Sequence, residues 1–293
     1  MAQIKEIKTR IDSVKKTKKI TQAMKMVAAA KFKRAGKAVS LFDAYYHGLK
    51  DILEDYQSRM EPDIIPDLMK TNNSPKEAII LITGDRGLCG AFNASVIKAT
   101  DVLLYASPKD TELICLGSKG SQYYKNKPWT ITHSHTQVTD HISPQKIRSI
   151  LKPTIDQFLA GSYGKVRLVY SEFLSALNSN LMTPQLLPLT MAPENTNEEA
   201  IKTKTSLKSD YIYEPSKEGI LSQFLSDYLV SLVYRALLSS KAAEEGARMA
   251  AMDAATDNAQ DMIKDLTLLY NRTRQAAITT ELTEIVSGAE AIH

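Results

Sequence analysis

The sequence predicts an α/β fold joined to a long helical coiled coil. N- and C-terminal helices pair antiparallel with a left-handed supercoil, and a small parallel-sheet domain is inserted between them. Three observations carry this expectation. A 3-4 apolar alternation runs from Ile4 to Tyr56, Pro215 is the last proline of the chain, and the middle third switches to short apolar runs bounded by turn residues.

The N-terminal seam starts at Ile4, Ile7 and Ile11, ends at Leu49, Leu53 and Tyr56, and is apolar at thirteen of its sixteen positions. A 43% hydrophobic chain gives about seven by chance. A seven-residue repeat sustained this long, with no proline before Pro62, predicts one coiled-coil helix of roughly 80 Å. Its exceptions, Lys18, Thr21 and Lys25, are consecutive on the seam, which predicts that something other than the partner helix packs there.

After Pro215, at a helix start, the C-terminal segment carries a lower stripe including Leu221, Leu225 and Leu229 and an upper one including Met252, Ala259 and Leu266. A small-residue tract lies between them, and Gly246 within it implies close approach of another backbone. This helix is expected to outlast the first by roughly 25 to 30 Å. Its end spreads Ile278, Leu282, Ile285, Val286, Ala289 and Ile292 around the helix rather than along one stripe. Such a surface needs enclosure by another protein.

In the middle, AIILIT (Ala78 to Thr83), ELICLG (Glu112 to Gly117) and KVRLVYSEF (Lys165 to Phe173) read as buried strands. Helical stretches at Phe92 to Tyr105, Ser118 to Asn126 and Pro144 to Ala160 complete a β-α-β series, hence a Rossmann-like parallel sheet. The predicted organisation is a coiled-coil helix over 1–60, a linker over 61–75, the α/β domain over 76–210, and the C-terminal helix and tip over 211–293.

Composition narrows the function. No run approaches the length of a membrane span, and no apolar signal core opens the chain, so a secreted or membrane-spanning protein is not expected. Cys89 and Cys115 sit in apolar surroundings without zinc or redox spacing and read as reduced structural thiols. Twelve Lys or Arg against Glu6 and Asp12 in residues 2–37 make that segment +10 within a chain of +4. Such a block faces something acidic or is a solvated face.

The stretch LITGDRGLCGAFN, from Leu81 to Asn93, has the strand-turn-helix context of a phosphate site. Its residues do not. Gly84, Gly87 and Gly90 give GxxGxxG, and the P-loop lysine is absent because Cys89 and Gly90 stand at its offset. No acid ends the second strand to hold a ribose, so no nucleotide cofactor is expected. His133, His135 and His141 lie in a loop-like stretch without further ligands and read as surface histidines rather than a metal site. No catalytic constellation is evident.

KEIKTRIDSVKKTKKITQAMKMVAAAKFKRA at the start, GDRGLCG in the middle and ARMAAMDAATDNAQDMIKDLTLLYNRTRQAAITTELTEIVSGA at the end resemble the gamma subunit of the rotary F-type ATP synthase, bacterial type. The resemblance spans the chain. It implies a rotor shaft inside a ring of three alpha and three beta subunits, with the α/β domain as a foot near the membrane ring of c subunits. Such a shaft has no catalytic group, cofactor or metal, and works peripherally at the cytoplasmic face of the inner membrane.

Carried onto this sequence, the resemblance implies that Arg274 and Gln275 catch a beta-subunit loop, a role suited to the bidentate arginine fork. Met24, Lys25, Arg86 and Cys89 would meet the acidic lever of beta. Tyr211, Tyr213 and Glu214 would face the epsilon subunit and the membrane ring, and Ile278, Leu282, Ile285 and Val286 the apolar sleeve of the alpha/beta ring. The cysteine-bearing regulatory segment of plant-type relatives has no counterpart between Phe173 and Tyr211. Two other readings stand beside it: a nucleotide-dependent α/β enzyme, and a basic coiled-coil adaptor for nucleic acid or anionic membrane.

Overall fold

A computed structural model of the chain describes residues 2–58, 66–106, 110–139, 142–175, 178–189 and 217–290. Two helices dominate: α1, Ala2–Ser58, and α5, Lys217–Glu290. Their 57 and 74 residues correspond to about 85 and 110 Å, a difference of about 25 Å that matches the sequence expectation. Between them run β1 (Glu77–Ile82), α2 (Phe92–Ala106), β2 (Glu112–Leu116), α3 (Ser118–Tyr124), β3 (Thr130–His135) and α4 (Pro144–Leu159). Then follow β4 (Lys165–Phe173), β5 (Ser179–Met182) and β6 (Gln185–Leu187).

The chain forms two compact units, one of residues 1–31, 88–90 and 245–293, the other of residues 32–87 and 91–244. The second holds the sheet, in the order β3-β2-β1-β4-β5, with β6 also on β4. β1 pairs parallel with β2 and β4, and β2 with β3, while β5 and β6 add to β4 antiparallel. Every residue of β1 is buried, as a central strand covered on both faces requires. Ala78, Ile80 and Ile82 face a core built with α4 and α5, whereas Ile79 and Leu81 face one built with α2. That alternation follows from the two-residue period of a strand.

The sheet's larger core belongs to the long helices as much as to the sheet. Leu53 and Tyr56 of α1 and Leu225, Leu229 and Val233 of α5 are buried in it. Residues 66–75 are tied down too: Leu68 is buried in a short 3-10 turn and its carbonyl accepts from the Leu189 N–H at 2.9 Å. Asn72 donates to the Phe158 and Tyr163 carbonyls. The start of α4 obeys helix chemistry, with Ser143 Oγ accepting from Lys146 N at 3.3 Å and Pro144 in the first turn.

Three strands have no counterpart in the sequence reading. β3 and β5 are short and carry no buried apolar run, and β6, although Leu186 and Leu187 are buried, is only three residues long. His133 and His135 therefore lie on a strand, not in a loop, with parallel rings 6.2 Å apart. His141 falls outside the described residues.

Candidate functional site

The glycine turn after β1 is where this fold would hold phosphate, and its geometry explains why the chemistry is missing. Thr83 N donates to the Leu116 carbonyl at 2.8 Å, and Thr83 Oγ1 accepts from Gly120 N at 2.9 Å. Gly84 N is taken by Asn93 Oδ1 at 2.8 Å. Asp85 then turns its carboxylate across the ends of β2 and β3. Its Oδ1 accepts from Ser118 N, in the first turn of α3, at 2.9 Å, and its Oδ2 from Gln137 N at 3.0 Å. Ser118 Oγ donates back to the Asp85 carbonyl at 2.8 Å. Backbone N–H groups at the start of α3 and just after β3 are thus aimed at the chain's own anion.

The second ligand position of an open α/β sheet is the crevice at the carboxyl ends of the strands where the connections diverge, here β1 and β4. α5 crosses it. Ser239 Oγ accepts from Phe173 N at 2.7 Å, and Arg235 pairs with Glu172 at 3.1 Å and with Asp43 of α1 at 2.7 Å. The Arg235 guanidinium also stands 5.2 Å from the Tyr46 ring. Burial works against its charge, but Asp43 and Glu172 more than offset that and hold its pKa above the ordinary value. A Cβ on Gly84 would lie 2.9 Å from Glu244 Oε1, so the missing side chain is what admits this buried carboxylate. Gly117 is under a stricter demand: its φ is 111° and a Cβ would meet the Thr83 carbonyl oxygen at 2.0 Å.

In the other unit, Lys18, Thr21 and Lys25 correct the reading of the seam. They face α5: Lys18 Nζ donates to Gln260 Oε1 at 2.5 Å, Thr21 Oγ1 meets Thr256 Oγ1 at 2.8 Å, and Lys25 Nζ meets Asp253 Oδ1 at 2.5 Å. The numbers fall along one helix as they rise along the other, so the pairing is antiparallel and the gap in the seam is a polar ladder between the two helices. Extended at 1.5 Å per residue, this register sets the first turn of α1 beside about residue 275.

The other predicted contact residues scatter along these elements. Arg274 and Gln275 are exposed on α5, and Ile278, Leu282, Ile285 and Val286 follow on the same helix, each about half exposed or more. Met24 is half-buried and Arg86 exposed. Cys89 is buried, and the residue its turn presents is Leu88, 63% exposed at a φ of 61° that is rare for leucine. Leu88 carries no signal of this in GDRGLCG beyond the neighbouring glycines. Tyr211, Tyr213 and Glu214 lie outside the described residues. Cys115 is also buried, which pushes its thiol up to about 11 against a hydrogen bond with Ser121. Among the described residues no three His, Cys, Asp or Glu gather around a metal position, and no helix is long and apolar enough to cross a membrane.

The described residues combine a long antiparallel helix pair with an α/β domain whose sheet head is occupied from within, by Asp85 and α5. A family model described as ATP synthase matches residues 3–292. An ATP synthase gamma chain of Prosthecochloris aestuarii is 40% identical over 298 residues, covering 100% of this chain and 99% of the relative. That of Moorella thermoacetica is 39% identical over 292 residues, covering 100% of both. The chain belongs to the ATP synthase gamma chain family. A chain of the Tetrahymena thermophila mitochondrial ATP synthase, from its central stalk and c-ring structure, aligns with a TM-score of 0.59 at 26% identity, covering 80% of this chain and 99% of that one. One from Euglena gracilis mitochondrial ATP synthase aligns at 0.71 with 18% identity, covering 100% and 95%, and shows the shared fold.

Proposed function

We propose that this chain is the central rotor shaft of a proton-translocating F-type ATP synthase, coupling proton-driven rotation to the cycling of the beta catalytic sites. The observation that carries this is the helix pair itself: α5 continues past the start of α1 and remains apolar there, with Ile285 67% exposed. Such an end requires a sleeve around it. On this reading three alpha and three beta subunits surround the shaft, Ile278 to Val286 turn in their sleeve, and Arg274 and Gln275 catch a beta loop. Met24, Lys25 and Arg86 meet the acidic lever of beta, with Leu88 as the apolar contact over buried Cys89. Tyr211, Tyr213 and Glu214 face epsilon and the c subunits. The chain is peripheral at the cytoplasmic face of the inner membrane and contributes no catalytic group.

The filling of both ligand positions by Asp85 and α5 speaks against the nucleotide-enzyme reading. The engagement of Lys18 and Lys25 by α5 removes part of the charge a nucleic-acid or membrane adaptor would use. Co-expression with alpha and beta tests the proposal: the three are expected to co-purify at 3:3:1, and Arg274→Ala to lower ATPase turnover with the complex intact. A chain that leaves alpha and beta behind would overturn the shaft reading, and undiminished turnover in Arg274→Ala the catch role.

A further inference from the structure

The outer edge of the sheet carries chemistry that a shaft does not use. Among the described residues β3 pairs only with β2, and Thr130 and Ser134 are exposed while the other four residues are half-buried. Alternate backbone groups of such a strand point away from its one neighbour. Its sequence, TITHSH, lacks the lysine or proline with which edge strands discourage an added strand. The one register shift against β2 falls between Ile131 and His133, leaving His133–His135 regular.

Charge around this edge is mainly positive. Lys125 and Lys127 are exposed at the end of α3 and the turn after it, Lys127 standing 5.1 Å from the Tyr123 ring. His133 and His135 share one face of the strand, and burial, His133 and Lys146 together lower the His135 pKa. Asp110, just before β2, is exposed, but Asp101 and Glu112 are engaged. Asp101 accepts from Tyr123 at 2.9 Å and Tyr124 at 2.8 Å, and Glu112 binds Lys76 at 2.7 Å and accepts from Tyr163 and Thr132. At the strand's start Trp129 packs edge-on to Tyr105, 5.3 Å away and 78% exposed, with Val102 63% exposed on the same helix as Tyr105.

We propose that the β3 edge is a strand-addition site for an extended acidic peptide segment of a partner protein. Main-chain pairing on either side of the irregularity at Thr132, above all along His133–His135, supplies binding; its carboxylates meet Lys125 and Lys127 and accept from imidazole N–H groups, and an apolar residue at its end covers Tyr105 and Trp129. A second copy of this chain is excluded as occupant by charge, since its edge would bring the same cations face to face. The site does not depend on the shaft reading.

Trp129 is the chain's single tryptophan, so intrinsic fluorescence reports on this edge alone. The full chain is titrated with an end-blocked octapeptide alternating Glu and Val, with its Lys-Val counterpart, and with a Glu-Val peptide N-methylated along one edge. A saturable change in Trp129 emission is expected with the first, and binding at least about tenfold weaker with the other two. Lys125→Glu with Lys127→Glu is expected to weaken the Glu-Val peptide by about tenfold at unchanged helicity. No saturable response, or equal binding of the N-methylated peptide, would overturn strand addition. A response to vesicles containing phosphatidylserine but not to the Glu-Val peptide would overturn it in favour of a lipid surface.

Discussion

The same two helices are held together by different chemistry in the two units. Among residues 32–87 and 91–244 their contact is deep: Leu53, Leu225, Leu229 and Val233 are essentially inaccessible, Phe42 meets Tyr234 at 4.6 Å, and Arg235 sits between two carboxylates. Among residues 1–31 and 245–293 the contact is thin. Ile7, Ile11, Ala28, Met252 and Ala259 are buried, but the pairing between them is the ladder from Lys18 to Asp253. One region is stabilised by burial. The other is aligned by polar matching, which sets register while adding little free energy at a surface.

The largest expected effect is in the buried region. Leu225→Ala should cost about 2–5 kcal/mol in urea unfolding followed through the loss of helicity, and Met252→Ala no more than the low end of that range. Equal losses would erase the distinction. Next comes Arg235→Ala, which leaves Asp43 and Glu172 without their shared cation and should cost about 1–3 kcal/mol in the same assay. Arg235→Lys should recover only part, because an ammonium cannot serve both carboxylates as the planar fork does.

A smaller effect is pH-dependent. Burial works against the Glu112 charge, but hydrogen bonds from Lys76, Tyr163 and Thr132 outweigh it and hold the carboxyl below its ordinary 4.5. A depressed carboxylate stabilises fully above its unfolded value, and that contribution is lost as pH falls through the lower folded value. Glu112→Gln should therefore reduce stability at pH 7 and flatten the decline between pH 5 and the acid range. The smallest effect belongs to the ladder. The Lys25 and Asp253 side chains are 40% and 48% exposed, so Lys25→Ala should cost under about 1 kcal/mol. Exchanging the pair, Lys25→Asp with Asp253→Lys, should restore the loss, and added salt should shrink it.

The long helices were legible because their apolar residues repeat faithfully at 3-4 spacing, and β1, β2 and β4 because two-sided burial writes an apolar run. β3 was not, since an edge strand covered on one side has no need of such a run and His133 and His135 resemble loop residues. The seam's polar break was visible, yet its answer was readable as well: Asp253, Thr256 and Gln260 repeat the 3-4 spacing of Lys18, Thr21 and Lys25 in reverse. An antiparallel pair has to be read in both directions at once. Of the candidate site, the failure of the phosphate motif was legible from missing residues, while its replacement was not, because Asp85 reaches Ser118 and Gln137 only through the sheet's topology.

Asp85 has one more consequence. A nucleotide-binding domain alternates between empty and loaded, and its loops stiffen or slacken accordingly. Here the anion is covalently part of the chain, so the hydrogen bonds that join the loops at the head of the sheet need no bound phosphate to form. A body that must carry a mechanical load without yielding gains from having those bonds in place without a ligand.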